Sequence, residues 1–413
     1  MSSNNINYGE GGAASCVLVP PFNCIGKNYD DNYISKISNI SDSGIKTTIE
    51  RELKLAKIFK KLSKGINKKF IEDHFILIND YCILDKSKKN LKKLKERGCN
   101  IDYNDEYVVL YSKNGACKPL KKGNIVSIEQ SEDLKHLEVV PYIYLKKELG
   151  FFVLEDIDGN LIEVEKINRF CGHLGNINIL YMTFSNPKLR RKNILDLLKS
   201  VHFMIKNNIV HCDLKLQNIV CNEKSELKII DFGGAFSLGD SKYFNFSNSC
   251  KILKSESDEK INFRTQYNRD FANDILDFIS IHTEYYTPPE ILTLKLILID
   301  KDYNEILQHI LESYNLVDTN IINSLKQIIL YISQNKKKML YELQCKKNIN
   351  SFIFKFDTFS MGIILRETFK ILNKYFGIVI EESLLDLIEK MTDLNFETRL
   401  NIKEILNHKY FSK

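Results

Sequence analysis

The stretch Ile209-Val-His-Cys-Asp-Leu-Lys-Leu-Gln-Asn-Ile219 decides how this chain is interpreted, together with Asp231-Phe-Gly233 further along. It contains Asp213, a lysine two positions later and an asparagine five positions later. Two short apolar runs, Ile219-Val220 and residues 227–230, separate it from Asp231 and predict a β-hairpin. An Asp-Phe-Gly alone would be weak evidence for any function. The three features in this order indicate a catalytic segment.

This order of residues resembles the catalytic loop and the magnesium motif of protein kinases. Phosphoryl transfer from a nucleotide needs charge neutralisation and in-line positioning more than it needs covalent chemistry. By the resemblance, Asp213 accepts or orients the proton of the attacking hydroxyl, and Lys215 neutralises the transferring phosphate. Asn218 and Asp231 supply oxygen ligands for a divalent ion, Mg²⁺ or Mn²⁺, held against the phosphates of ATP.

The resemblance continues toward the C-terminus. Residues 282–290, His-Thr-Glu-Tyr-Tyr-Thr-Pro-Pro-Glu, resemble the end of a kinase activation segment. By the resemblance, Thr283 falls in the substrate pocket, where it could hydrogen-bond both Asp213 and Lys215. Asp357 begins a run that resembles the long buried helix of the C-lobe, where it would hold the catalytic-loop backbone. An ordinary helix N-cap is the alternative role for Asp357. Arg399 stands where the family has an arginine that pairs with the glutamate at Glu290.

The N-terminal segment matches the family less well. Residues 9–17 resemble the glycine-rich loop that covers the nucleotide phosphates, with Gly12 as the central glycine and Val17 as its apolar residue. Glu10 and Ser15 replace the other two glycines of the family pattern. A flexible tail is the alternative for the glycine cluster.

By the resemblance, an ion pair between a lysine and a carboxylate should orient the nucleotide. Lys36, at the centre of a predicted strand, is the candidate phosphate-binding lysine, and Lys27 is its competitor. The partner carboxylate should lie on the helix predicted for residues 47–62. We choose Glu52 over Glu50 because apolar residues follow Glu52 at helical spacings, so Glu52 borders the inward face.

The adenine slot is predicted to be apolar. Val17 would lie above the base and Val220 below it, and Ile34 occupies the position where most kinases have alanine. The connection between the lobes should lie near residues 181–184.

Composition excludes several classes of protein. The 413 residues include 59 Lys and Arg against 53 Asp and Glu, a net charge of only +6, so no nucleic-acid partner is expected. The sequence contains no run of 18 apolar residues, so no membrane span is expected. Ten cysteines form no Cys-x-x-Cys pair, which disfavours a zinc site and predicts reduced thiols in the cytoplasm.

The strand-rich first part and the helix-rich second part predict an α+β, bilobal, protein-kinase-like fold with a cleft between its lobes. The N-lobe would be an antiparallel sheet with one main helix over residues 1–180, with an insertion at about 63–176. The mainly helical C-lobe would span residues 181–413, with helices predicted at 306–313, 321–333, 359–376, 381–391 and 402–407. The resemblance covers about 9–62 and 177–411, and the stretches 63–176, 234–280 and 292–350 match nothing in the family.

The resemblance implies an ATP-dependent kinase that phosphorylates serine or threonine of protein substrates. The glycine-loop variant runs into Pro20-Pro21 and Cys24 and is followed by Tyr33-Ile-Ser-Lys-Ile37 and large insertions. This pattern is similar to the divergent Ser/Thr kinases of large DNA viruses, which would place the protein in the host cytoplasm or the virion. A pseudokinase or scaffold is the first alternative, and a small-molecule or lipid kinase is the second. Cys212 replaces the arginine that precedes the catalytic aspartate in most loop-activated kinases, so activity should not require a phosphate on the activation segment.

Overall fold

The computed structural model describes residues 6–7, 14–30, 32–113, 143–146, 151–155, 161–163, 172–175, 177–222, 225–237, 283–299, 301–314, 318–345 and 352–412. The chain divides into two compact units. One comprises Met1–Asn193 with Leu216–Asp231, and the other comprises Ile194–Lys215 with Phe232–Lys413. The lobe boundary at residue 180 stays a prediction.

The described strands are β1 (Ile6–Asn7), β2 (Ala14–Val19), β3 (Tyr33–Asn39), β4 (Ile78–Ile83), β5 (Tyr107–Lys113), β6 (Ile143–Lys146), β7 (Phe151–Glu155), β8 (Leu161–Glu163), β9 (Gly172–His173), β10 (Ile209–Val210), β11 (Ile219–Cys221), β12 (Leu227–Ile229) and β13 (Phe236–Ser237). The described helices are α1 (Ser43–Leu62), α2 (Ile66–His74), α3 (Lys88–Glu96), α4 (Ile177–Phe184), α5 (Pro187–Lys206), α6 (Pro289–Leu298), α7 (Tyr303–Tyr314), α8 (Thr319–Cys345), α9 (Phe356–Phe376), α10 (Glu382–Met391) and α11 (Ile402–Leu406).

The first unit is built on a five-stranded antiparallel sheet in the order β1-β2-β3-β5-β4. The strand expected around Tyr33–Ile37 is confirmed as β3, and the hairpin after the catalytic segment is confirmed as β11 and β12. With the helical second unit, these elements confirm the predicted α+β class. Among the helices in the described ranges, none has both the length and the apolar character that a membrane span requires.

Helix α1 covers one face of this sheet. Ile49 packs in a cluster with Ile78, Val108 and Leu110 of strands β4 and β5. The helix begins at Ser43, four residues earlier than predicted, because the Asp42 carboxylate accepts a hydrogen bond from the backbone N–H of Ile45. The inward face of α1 is therefore fixed against the sheet over its whole length.

A second layer covers the opposite face of the sheet, and the sequence analysis did not predict it. The connection 20–30 and helix α3 pack there on β2, β3 and β5. The Tyr111 hydroxyl accepts a hydrogen bond from the Cys24 N–H at 3.0 Å and donates one to the Phe22 carbonyl at 2.9 Å. Arg97, directly after α3, donates to the Pro20 carbonyl. The long connection after β2 is thus part of the core.

Two disulfide bonds fasten this second layer. Cys16 of β2 is bonded to Cys99, and Cys24 is bonded to Cys82 of β4. The prediction that the cysteines are reduced thiols is therefore wrong for these four residues. Its reason was the absence of a paired spacing, but residues far apart in the chain meet across the sheet. Disulfides are rare in cytosolic proteins, so the argument for a cytoplasmic location loses its basis.

The second unit is mainly helical, and the helices predicted for 306–313, 321–333, 359–376, 381–391 and 402–407 are confirmed as α7 to α11. Helix α9 forms the centre of the unit, with buried residues from Phe356 to Leu372. Helices α6, α7 and α8 share a separate apolar cluster that includes Leu292, Ile310 and Ile329. Part of the unmatched stretch 292–350 therefore forms an ordered helical layer.

Reduction of the disulfides should destabilise the protein. Each bond restricts the unfolded chain, and bonds that span 83 and 58 residues are expected to contribute about 2–4 kcal/mol each. We expect the urea unfolding midpoint to fall when a reductant is added, and a Cys16→Ser/Cys99→Ser variant to show part of this fall without a reductant.

Thiol titration of denatured, unreduced protein provides the control for that measurement. If Cys16, Cys24, Cys82 and Cys99 all react as free thiols before reduction, the pairing is contradicted. Peptide mapping under non-reducing conditions should instead recover the two linked peptide pairs.

Candidate active site

The β11–β12 hairpin sets the positions of Asn218 and Asp231. Ile219 pairs with Ile229 across the hairpin, and the backbone N–H of Ile230 donates to the Asn218 carbonyl at 3.0 Å. Asn218 directly precedes the first strand and Asp231 follows the second, so both lie at the same end of the hairpin. The Ile76 N–H donates to the Ile229 carbonyl at 3.0 Å, which fastens the hairpin to the segment after α2.

Lys36 lies between two carboxylates of the first unit. Its ammonium is 3.6 Å from an Asp231 oxygen and 3.7 Å from a Glu52 oxygen. Glu52 is buried on α1, whereas Glu50 is exposed. The competing lysine, Lys27, is instead ion-paired with Asp80. The structure therefore brings together Lys36, Glu52 and Asp231.

The charges of this trio are strongly coupled. Burial opposes the charged form of Lys36, but the carboxylates of Asp231 and Glu52 outweigh burial and hold the pKa of Lys36 above its ordinary value. Burial raises the pKa of Glu52 to about 6, although the Lys36 ammonium acts in the opposite direction. The charge of Glu52 therefore changes closer to neutral pH than that of an ordinary glutamate.

Asn218 and Asp231 fit a divalent cation that arrives with phosphates. They offer amide and carboxylate oxygens, which are ligands of the kind that Mg²⁺ prefers. Magnesium in nucleotide sites takes one or two protein carboxylates and completes its octahedral shell with phosphates and water. In the part of the chain that the structure describes, no group of three or more His, Cys, Asp or Glu residues could hold a metal by itself.

The apolar candidates lie near these polar ones. Val17 is the register partner of Lys36 across β2 and β3, so their side chains share one face of the sheet. Val220 is buried in β11 and pairs with His173 of β9. Gly12 lies outside the described residues. Residues 181–184, near which the connection between the lobes is predicted, belong to helix α4.

The second unit contains Asp213 and Lys215, joined by Thr283. The Thr283 hydroxyl donates to Asp213 at 2.8 Å and accepts from the Lys215 ammonium at 3.1 Å. Lys215 is also 2.9 Å from the second Asp213 oxygen. The predicted position of Thr283 against both residues is confirmed.

Asp357 holds the backbone that carries Asp213. Its carboxylate accepts hydrogen bonds from the N–H groups of His211 at 2.8 Å and Cys212 at 3.1 Å. Cys212 has a left-handed backbone with φ of 64°, a conformation unfavourable for a residue with a Cβ. Burial raises the pKa of Asp357 despite these hydrogen bonds. The prediction that Asp357 holds the catalytic-loop backbone is confirmed. The alternative role as helix N-cap is wrong, because Lys355 is the N-cap of α9.

Arg399 and Glu290 form a fully buried, bidentate ion pair. Arg399 donates to the two Glu290 oxygens at 2.5 and 3.0 Å, and its guanidinium lies 4.6 Å from the centre of the Phe359 ring. This predicted pair is confirmed. It ties the start of α6, directly after the Thr283 segment, to the loop before α11.

Two further anchors of the Thr283 segment were missed by the sequence analysis. The Tyr285 hydroxyl donates to Glu367 of α9, and the Ser360 hydroxyl donates to the Tyr286 carbonyl at 2.7 Å. Both partners lie on α9, one and three helical turns after Asp357. A polar residue on the inward face of an otherwise apolar helix was the signal that could have indicated Ser360.

The comparisons with known proteins agree with this geometry. The family model of the protein kinase domain matches residues 128–411, which leaves Lys36 and Glu52 outside the match. The probable serine/threonine-protein kinase mkcE of Dictyostelium discoideum is 31% identical over 142 residues, 34% of this chain and 18% of that protein.

Two other relatives show similar, partial matches. The dual specificity tyrosine-phosphorylation-regulated kinase 2 of Drosophila melanogaster is 30% identical over 125 residues, 29% of this chain and 15% of that protein. The cyclin-dependent kinase-like 5 of Homo sapiens is 27% identical over 142 residues, 32% of this chain and 15% of that protein. The chain therefore covers less than a fifth of the length of each of these relatives.

The family match extends over more than half of the chain and includes the segments that carry Asp213, Asp231, Glu290 and Arg399. With the α+β fold, this match shows that the chain belongs to the protein kinase family.

Proposed function

We propose that this protein transfers the γ-phosphate of ATP to serine and threonine hydroxyls of protein substrates, with Mg²⁺ or Mn²⁺. The observation that carries the proposal is the closed network of Asp213, Lys215 and Thr283, with each contact between 2.8 and 3.1 Å. In this network the Asp213 carboxylate and the Lys215 ammonium both contact one hydroxyl group, that of Thr283.

The roles follow from the charges. Asp213 orients the acceptor hydroxyl and takes up its proton as the new P–O bond forms. Lys215 offsets the negative charge of the transferring phosphoryl group. Lys36, held by Glu52, binds nucleotide phosphates, and Val17 and Val220 contact the adenine. Asn218 and Asp231 hold the divalent ion, which neutralises the phosphates when it is bound.

The acceptor class rests on Lys215 and Thr283. Kinases specific for tyrosine usually lack the lysine two residues after the catalytic aspartate. Here that lysine is present, and the Thr283 hydroxyl narrows the position next to Asp213 so that it suits a short side chain. Protein substrates are favoured over small molecules because the 283–290 segment, by resemblance, shapes a peptide-docking surface.

Three finer statements remain proposals. The similarity to viral kinases rests on the sequence pattern of residues 9–37 and on the large insertions, and the relatives named above come from eukaryotes. The cytoplasmic location is a prediction that the disulfides weaken. A pseudokinase remains the alternative function, because Glu10 and Ser15 replace glycines of the phosphate loop.

Asp213→Asn should abolish phosphate transfer and leave ATP binding nearly intact. The carboxylate acts on the acceptor hydroxyl and not on the nucleotide, and general base catalysis contributes about 10²- to 10⁴-fold. Transfer of labelled phosphate and ATP binding by calorimetry measure the two effects. Asp231→Asn is the matched variant, and it should weaken ATP binding in the presence of Mg²⁺ but not in its absence. Near-normal transfer by Asp213→Asn would contradict the assignment.

Phosphoamino-acid analysis of a labelled generic protein substrate should show phosphoserine and phosphothreonine. The Asp213→Asn protein, carried through the same preparation, controls for contaminating kinases. A product that is mainly phosphotyrosine contradicts the acceptor assignment.

Glu52→Gln should remove a pH dependence that the wild-type protein shows. Because the pKa of Glu52 is about 6, the carboxylate that holds Lys36 is lost as the pH falls through that value. Wild-type ATP affinity should therefore fall between about pH 7 and about pH 5, by more than in Glu52→Gln, which should bind weakly throughout. The titration of ATP itself is common to both proteins.

The exposed neighbour on the same helix supplies the control. Glu50→Gln should keep the wild-type profile. The raised pKa also means that the ionisation of Glu52 reduces stability as the pH rises from 4.5 to about 6, since the folded state then keeps a proton that the unfolded state has released. Identical profiles for Glu52→Gln and the wild type would rule out this role.

A further inference from the structure

The segment from Thr283 to Thr287 is held by the chain's own helices. At one end the Thr283 hydroxyl bridges Asp213 and Lys215. At the other end the Thr287 hydroxyl donates to the Thr283 carbonyl at 3.1 Å, so the two threonines close one turn of backbone. A shift of Thr287 would therefore also displace Thr283, which contacts Asp213 and Lys215.

Helix α7 supplies a direct contact to that turn. The hydroxyl of Tyr314, the last residue of α7, donates to the Thr287 carbonyl. The Tyr314 ring also meets the ring of Phe359 of α9 edge-on, with 6.3 Å between centroids. Thr287 itself is fully buried. A bond to a buried carbonyl is costly to break because water cannot replace it there.

The helix that carries Tyr314 is firmly packed. Ile306 and Ile310 of α7 are buried against Leu292 of α6 and against Leu325 and Ile329 of α8. Helix α6 itself begins at the Pro-Glu whose carboxylate pairs with Arg399. Helices α7 and α8 come from the stretch that the resemblance left unmatched, and they form a support for the Thr283–Thr287 turn.

We propose that Tyr314 is a positioning residue for phosphotransfer, which fixes the Thr283–Thr287 turn and through it the orientation of Asp213 and Lys215 toward a protein acceptor. This inference rests on the proposed kinase function. It assigns a role to helices α7 and α8: they order the acceptor-facing turn through the contact of Tyr314 with the Thr287 carbonyl. A neutral Cys212, 4% exposed, offers no charge to a phosphate that would order the turn instead.

The effect should appear in the handling of the acceptor and not of the nucleotide. Thr283, Asp213 and Lys215 face the hydroxyl that is phosphorylated, whereas Lys36, Glu52 and Asp231 form a separate set of contacts. Loss of the Tyr314 hydroxyl should therefore lower kcat/KM for a protein or peptide acceptor and leave KM for ATP within about twofold.

Tyr314→Phe tests the proposal because it removes only the hydroxyl and keeps the ring against Phe359. We expect kcat/KM for the acceptor to fall about tenfold, which corresponds to about 1.4 kcal/mol. Tyr303→Phe, at the exposed start of the same helix, is the matched control and should behave as the wild type. Both proteins are treated with phosphatase before the assay so that no added phosphate compensates.

Hydrogen exchange of the intact protein separates positioning from general stability. Tyr314→Phe should speed amide exchange in residues 283–292, while exchange in α9 and the thermal midpoint stay at the control values. Unchanged acceptor kinetics, or faster exchange throughout the second unit, overturns the positioning role. If the wild-type protein transfers no phosphate to any acceptor, the proposed function fails, and the local exchange result then reports on the Tyr314 contact separately.

Discussion

The buried Asp357 carboxylate determines where the proposed catalytic residues of the second unit can lie. Two backbone N–H groups donate to it from a segment 146 positions earlier in the chain. One of them belongs to Cys212, whose left-handed backbone costs about 1–2 kcal/mol for a residue with a Cβ. Hydrogen bonds to a charged group contribute about 1.5–3 kcal/mol each, so Asp357 offsets that cost. Asp213 follows immediately, and its direction depends on this balance.

The polar contacts of the site were predictable where the chemistry fixes both residue type and spacing. Thr283 against Asp213 and Lys215, and Arg399 against Glu290, were expected from the sequence and are present. An ion pair that is fully buried requires its partner, since an unpaired charge there would be too costly. Such pairs can be predicted from the sequence because both residue types must be present together.

The second layer of the first unit was harder to predict from the sequence. Cysteine spacing does not determine pairing, and Cys16 and Cys99 meet only because the sheet brings them together. One signal was available in β5, where five consecutive residues from Tyr107 to Tyr111 are buried. A strand covered on one face only should alternate, and an unbroken apolar run indicates cover on both faces. Tyr314 offered no such signal, because its partner is a backbone carbonyl, which every residue carries.

The distribution of backbone strain bears on the choice between a kinase and a scaffold. In the described residues, four non-glycine residues have positive φ: Asn208, Cys212, Ser225 and Asp231. Asn208 and Ser225 lie outside the proposed site, before β10 and between β11 and β12. Asp231 is a proposed metal ligand, and aspartate adopts this conformation more readily than most residues. Cys212, directly before Asp213, has no such preference. Strain of this kind persists only where the surrounding structure enforces it. The strained backbone of Cys212 therefore supports the proposed catalytic role of Asp213, since a protein that only bound partners would have no need to maintain it.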